Sequence, residues 1–130
     1  MKYTLLSIAA LLLSNLAPAP ARAQPEQRAI NISIFGIGPA VDENALRAVK
    51  SVIGRAVAEG VIDTYVTYGY GIEGGMSSCI QLSPFQDSQK LIQLKSQLLQ
   101  IRPPSSTTSY VVQVAAACDP KPPSTSISVE

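Results

Sequence analysis

Between Ile30 and Ala117 the apolar positions of this chain alternate between two periods. Ile30, Ile32 and Ile34 interleave with Asn31 and Ser33, the two-residue period of a half-buried strand that ends at Gly36-Ile37-Gly38-Pro39. From about Asp42 the period lengthens to that of a helix. Leu46, Val49, Val52, Ile53, Ala56 and Val57 fall on one face, and Glu43, Arg47, Lys50 and Arg55 lie off it. Asp42 is placed to cap the free amides of the first turn, and Gly60 to stop the last. A second strand, rich in β-branched and aromatic residues, is expected from Val61 to about Ile72, and Gly74-Gly75 marks a tight reversal.

The same alternation then repeats. A short third strand is expected around Ser78 to Leu82. Ser83-Pro84-Phe85-Gln86 predicts the start of a second helix, with a hydroxyl cap, proline at the first helical position and Gln86 closing a capping box. Leu91, Leu94, Leu98 and Ile101 give its buried face, five glutamines much of its polar surface, and Pro103-Pro104 its end. In the last strand Tyr110, Val112, Val114 and Ala116 alternate with Val111, Gln113 and Ala115.

The resulting β-α-β-β-α-β order, joined by right-handed crossovers, predicts one α+β domain over residues 29–118. It resembles the ferredoxin-like fold, which implies a four-stranded antiparallel sheet in the order 4-1-3-2 with two helices on one face. Residues 24–28 and 119–130, rich in Pro, Ser and charge, are expected to be flexible ends.

Ahead of the domain, Lys2, the apolar run Leu5 to Leu13 and the small-x-small triplet Ala21-Arg22-Ala23 form a secretory leader too short to span a bilayer. Cleavage after Ala23 is expected, which places the protein in a periplasm or outside the cell and leaves it no membrane segment. Lys2 and Arg22 leave with the leader, so eight of the ten basic residues remain against nine acidic ones, a net charge of −1. The remaining basic residues are scattered, which argues against nucleic acid as a partner.

Cys79 and Cys118 are the only cysteines, an even count that in an oxidising compartment reads as one disulfide. In the expected sheet order they share a rim but stand two strand spacings apart, roughly 9–10 Å, against the about 7 Å a disulfide spans at most. Alternation also sends Cys79 to the open face and Cys118 to the helix side. Only a bend after Ala117, carrying the chain beneath the first strand, would join them.

The chain contains no His, which removes His-dependent triads and every His-containing metal site. Gly36-x-Gly38 lacks the third glycine of a nucleotide loop, because Val41 stands there, and Pro39 removes an amide. Families resembling this fold fail at their own motif positions. The loop after the first strand has neither the CxxC of copper chaperones nor the arginine of acylphosphatase-like enzymes, and Phe35 has no aromatic partner in the third strand for RNA stacking. Asp42 and Glu43 read as helix-start residues, and Asp63 and Glu73 lie at opposite ends of a strand. No catalytic residue, cofactor or metal is therefore expected.

What remains is the stretch from Asp63 to Tyr70. Alternation groups Tyr68 and Tyr70 with Ile62 and Val66, and Tyr65 with Thr67, on an expected edge strand with unpaired amides. Tyrosine suits interfaces because it supplies area and a hydroxyl at low entropic cost. The reading is a small exported, non-catalytic domain that binds another protein, or pairs with itself. Its contacts would be the edge carrying Tyr65, Thr67, Tyr68 and Tyr70, or the open face carrying Asn31, Ser33, Phe35, Gln81 and Gln113. An alternative is carried by the same layout with a C-terminal tail. It resembles the propeptide-type inhibitors of subtilisin-like serine proteases, which implies that the sheet face docks on the protease and that residues 119–130 enter its cleft by strand addition. An enzyme of unrecognised type is the third and weakest reading.

Overall fold

The computed structural model describes residues 26–120. The leader over residues 1–23, its cleavage site and all but the first two residues of the 119–130 segment lie outside the described residues. Four strands and two helices follow in the order β1 (Ala29–Gly36), α1 (Glu43–Ala58), β2 (Ile62–Gly69), β3 (Gly75–Leu82), α2 (Ser88–Leu99) and β4 (Thr108–Ala115). The strands form one antiparallel sheet in the order β2-β3-β1-β4, which is the ferredoxin-like order. β1 is central between β3 and β4.

Both helices cover one face of this sheet, because Ile30, Ile32 and Ile34 of β1 turn the same way as Met76, Ile80 and Leu82 of β3. From the helices Val49, Ile53, Leu91, Leu94 and Leu98 close the core. α1 starts as its sequence dictates: the Asp42 carboxylate accepts from the Asn44 and Ala45 N–H groups at 2.9 and 3.1 Å. Asp42 in turn donates its own N–H to the buried Thr108 Oγ1 at 2.9 Å, tying the start of α1 to the start of β4. Ala45 takes a core position the sequence pattern did not assign, whereas Val57 is exposed.

The start of α2 differs from expectation. Ser83 is not its cap. Gln86 N–H donates to the Ser83 C=O at 3.0 Å, closing a reverse turn with Pro84 in its second position, and Asp87 caps the helix through Gln89 N–H. The fixed φ of proline serves a turn as well as a first helical position, so the motif was ambiguous. The Arg28 guanidinium resolves it, donating to the Ser83 and Gln86 carbonyls at 2.7 and 3.0 Å and fixing the turn against the start of β1.

β2 stops at Gly69 rather than reaching Ile72, and β3 begins at Gly75, three residues earlier than the pattern suggested. Gly75 has φ +114°, and a Cβ there would run into the Ile34 carbonyl, so glycine lets β3 close on β1 from its first residue. β2 is irregular: its register against β3 shifts at Asp63 and again at Tyr68. The first shift corrects the expected facing. Ile62 opposes Leu82 on the core side, but Val66 opposes Cys79 on the open face.

Candidate functional site

The face of the sheet away from the helices is built from the odd positions of β1. Asn31, Ser33 and Phe35 stand opposite Cys79, Ser77 and Gly75 on β3, and opposite Gln113, Val111 and Ser109 on β4. This face is not simply open. After β4 ends at Ala115, the chain bends at Ala116 and Ala117 and crosses β1, so that Cys118 bonds Cys79. The Cα atoms lie 5.7 Å apart, within the range for a disulfide, because the bend removes both the two-strand gap and the opposed facing.

The crossing segment forms a strap. Ala29 and Cys79 lie on the side away from the helices and are nonetheless fully buried beneath it. Cys118 N–H donates to Gln81 Oε1 at 3.2 Å, and the Tyr68 hydroxyl donates to the Asp119 C=O at 2.7 Å. The strap therefore runs from the β4 edge to β2 and is fastened at β3 and β2. Burial, and then the nearby Asp119 carboxylate, raise the Tyr68 pKa above its ordinary value, which keeps the phenol a hydrogen-bond donor.

Beyond the strap the face holds a trough of about 600 Å³, within the size range of small-ligand sites. Its floor is Asn31 and Ser33 of β1, Ser77 of β3, and Val111 and Gln113 of β4. Phe35, Tyr68 and Tyr70 supply aromatic surface, and Asp119 closes the strap end. Phe35 is held by close backbone approach: a Cβ on Gly71 would come within 2.7 Å of its ring, so the segment after Tyr70 packs directly on it. Among the described residues no lysine or arginine lines the trough. Amides, hydroxyls and ring faces equip it to hydrogen-bond and stack against an uncharged ligand. Among the described residues, no group of three or more His, Cys, Asp or Glu is placed to hold a metal ion.

Of the residues singled out in the sequence, Phe35, Tyr68, Tyr70 and Gln113 come together in this trough with Asn31 and Ser33. Gln81 lies on the same face, but its side chain holds the strap. Tyr65 and Thr67 belong to the other side of the sheet. Tyr65 opposes Ile80, with its hydroxyl 3.4 Å from Met76 Sδ, and Thr67 opposes Ser78. Ser77, Val111 and Asp119 were not singled out. An earlier start to β3 would have revealed Ser77, and the facing of Gln113 implies that of Val111 two residues before it. Asp119 is brought in only by the disulfide beside it. No protein-family model matches the chain, and no curated protein or solved structure is significantly similar to it, so the trough and its strap are the ground on which a function must be argued.

Proposed function

We propose that this protein is an exported, non-catalytic binding domain that holds an uncharged segment of another protein in the open-face trough. The observation that carries this reading is the lining among the described residues: three aromatic rings, two amides and two serine hydroxyls around about 600 Å³, with the Asp119 carboxylate at the strap end and no basic side chain. An extended peptide has alternating backbone donors and acceptors that Asn31, Ser33, Ser77 and Gln113 can satisfy, while Phe35, Tyr68 and Tyr70 take its apolar side chains. Tyr70 is 76% exposed, an aromatic anchor available to a partner. A disulfide between Cys79 and Cys118 fits an oxidising, non-cytoplasmic compartment, and with the leader in the sequence it supports export.

The inhibitor reading ranks second, because the strap occupies part of the sheet face with which such an inhibitor would dock. The test is capture of exported proteins from the host by mature 24–130, beside Ser33→Arg and Gln97→Arg. The first places a charged side chain in the trough, and the second adds the same charge to exposed helix surface. A partner retained by wild type and Gln97→Arg but lost by Ser33→Arg supports the trough. A partner retained by all three overturns it, and a single protease lost when residues 119–130 are deleted would establish the inhibitor reading instead.

A further inference from the structure

Among the described residues the sheet has two outer strands, each with one edge unpaired, and they differ in how they treat those edges. β2 is interrupted by register shifts at Asp63 and Tyr68, and Asp63 is exposed and charged. Bulges and charges are the usual means by which an edge avoids pairing with another chain. β4 has neither. Its eight residues run opposite β1 without a register shift, and no ionisable side chain other than Tyr110 occurs from Pro103 to Cys118. The phase of its hydrogen bonds is fixed by Ile37 N–H donating to the Thr107 C=O at 3.1 Å. Odd-numbered residues of β4 therefore turn their backbone groups to β1, and Tyr110, Val112 and Val114 present theirs at the free edge.

We propose that the free edge of β4 pairs with β4 of a second copy, antiparallel about a two-fold axis at Val112, to give a continuous eight-stranded sheet. The occupant is argued from self-complementarity. In this register Val112 opposes the other copy's Val112 and Tyr110 opposes its Val114, each pair joined by backbone hydrogen bonds on the helix side. Val111 opposes its Gln113 on the trough side. Because the strand carries no formal charge near neutral pH, the two paired strands set no like charges opposite one another. Tyr110, Val112 and Val114 are only partly buried against the core of one copy, and a second strand would cover their remaining apolar surface. α2 adds apolar area on the same flank, where Val114 lies in a cavity with Leu91 and Ile92, and Ile92 is 59% exposed.

The pairing also bears on the trough and rests, in that respect only, on the binding reading above. An axis perpendicular to the sheet puts both troughs on the same side. Each is then flanked at Val111 by Gln113 of the other copy, so a second copy adds an amide to each site. Two sites side by side bind a repeated or doubled target with avidity.

The experiment is hydrogen exchange and sedimentation velocity on mature 24–130, from about 1 to about 300 µM, the range of Kd for a modest interface, beside Val112→Pro and Ser109→Lys. Proline at 112 replaces a half-buried side chain and removes an N–H that faces outward, so no hydrogen bond of the β1 ladder is lost, and lysine at 109 is an edge charge outside the trough. Circular dichroism verifies that each variant is folded. The expected result is a dimer whose formation slows exchange at Tyr110, Val112 and Val114, with dissociation at least about tenfold more favourable in both variants. A protein monomeric throughout, or a dimer unchanged in both variants, overturns the proposal. So does protection of these amides that is independent of concentration, which would assign the edge to residues of the same chain. None of these readouts uses a ligand, so failure here leaves the trough reading standing, and failure of the trough reading leaves this one.

Discussion

Replacing both cysteines, as Cys79→Ala with Cys118→Ala, should weaken the fold by an amount set by the loop the bond closes. The sequence separation is 39 residues. In the chain-entropy description a loop of that length restricts the unfolded chain by about 4 kcal/mol at 25 °C. That is a large share of the roughly 5–15 kcal/mol that holds a small domain together. The native sheet should survive, since the strands pair through β1, β2, β3 and β4 without help from Cys118. Urea unfolding followed by circular dichroism measures the change, and wild-type protein unfolded in reductant should match the double variant. The slope of unfolding free energy against urea should rise, because an uncrosslinked unfolded chain exposes more surface. Releasing Cys118 should also loosen the Asp119 contact, letting the Tyr68 phenol titrate nearer its ordinary value. A loss below about 1 kcal/mol would refute the loop-closure account. A Tyr68 titration that does not move would refute the strap as the source of its environment.

Substitutions at three further positions test other parts of the structure. Tyr110 donates to the Leu98 C=O at 2.7 Å, and burial raises its pKa from 10.0 to about 12. Its contribution is therefore complete below about pH 10 and is lost as pH rises toward 12. Tyr110→Phe should cost about 1 kcal/mol near neutrality and flatten the loss of stability over that alkaline range, as read by unfolding at stepped pH; an unchanged alkaline profile would contradict this. The Ser78 hydroxyl is buried on the helix side with no hydrogen-bond partner among the described residues, so Ser78→Ala should be neutral or stabilising by up to ~1 kcal/mol. Thermal unfolding decides it, and a loss beyond ~1 kcal/mol would show that the hydroxyl is satisfied. Arg28→Ala should cost about 2 kcal/mol and speed amide exchange in the turn from Ser83 to Asp87, because the guanidinium holds two of its carbonyls. Arg28→Lys should recover only part of that, since an ammonium cannot fork between them.

The order of elements was legible in the sequence because two signals agreed at each position, and the sheet order is the one that the resemblance to the ferredoxin-like fold implied. The isoleucines of β1 and Leu91, Leu94 and Leu98 of α2 mark core faces, and Asp42 and Gly60 bound α1. Where local chemistry served two structures equally, the sequence alone could not choose. Ser83-Pro84 suits a turn or a cap, and the contact that decides comes from Arg28, 55 residues away. The facing of β2 was lost for a related reason, since a register shift at Asp63 inverts every alternation counted from Ile62. The open-face residues Asn31, Ser33, Phe35 and Gln113 were readable from simple alternation. The strap was readable only in part: joining the two cysteines required a bend near Ala117, but its fastening to Gln81 and Tyr68 depends on side-chain contacts that no sequence pattern marks.

The central claim is that the trough is where this protein binds, and backbone amide shifts test it most directly. Uniformly 15N-labelled mature 24–130 would be titrated with the uncharged peptides enriched on it from a random peptide library. The expected result is saturable shifts at Asn31, Ser33, Ser77, Val111 and Gln113, with Tyr68 and Tyr70 following and Ser33→Arg abolishing them. Shifts confined to the outer surface of α1 and α2, or the same shifts in Ser33→Arg, would contradict it.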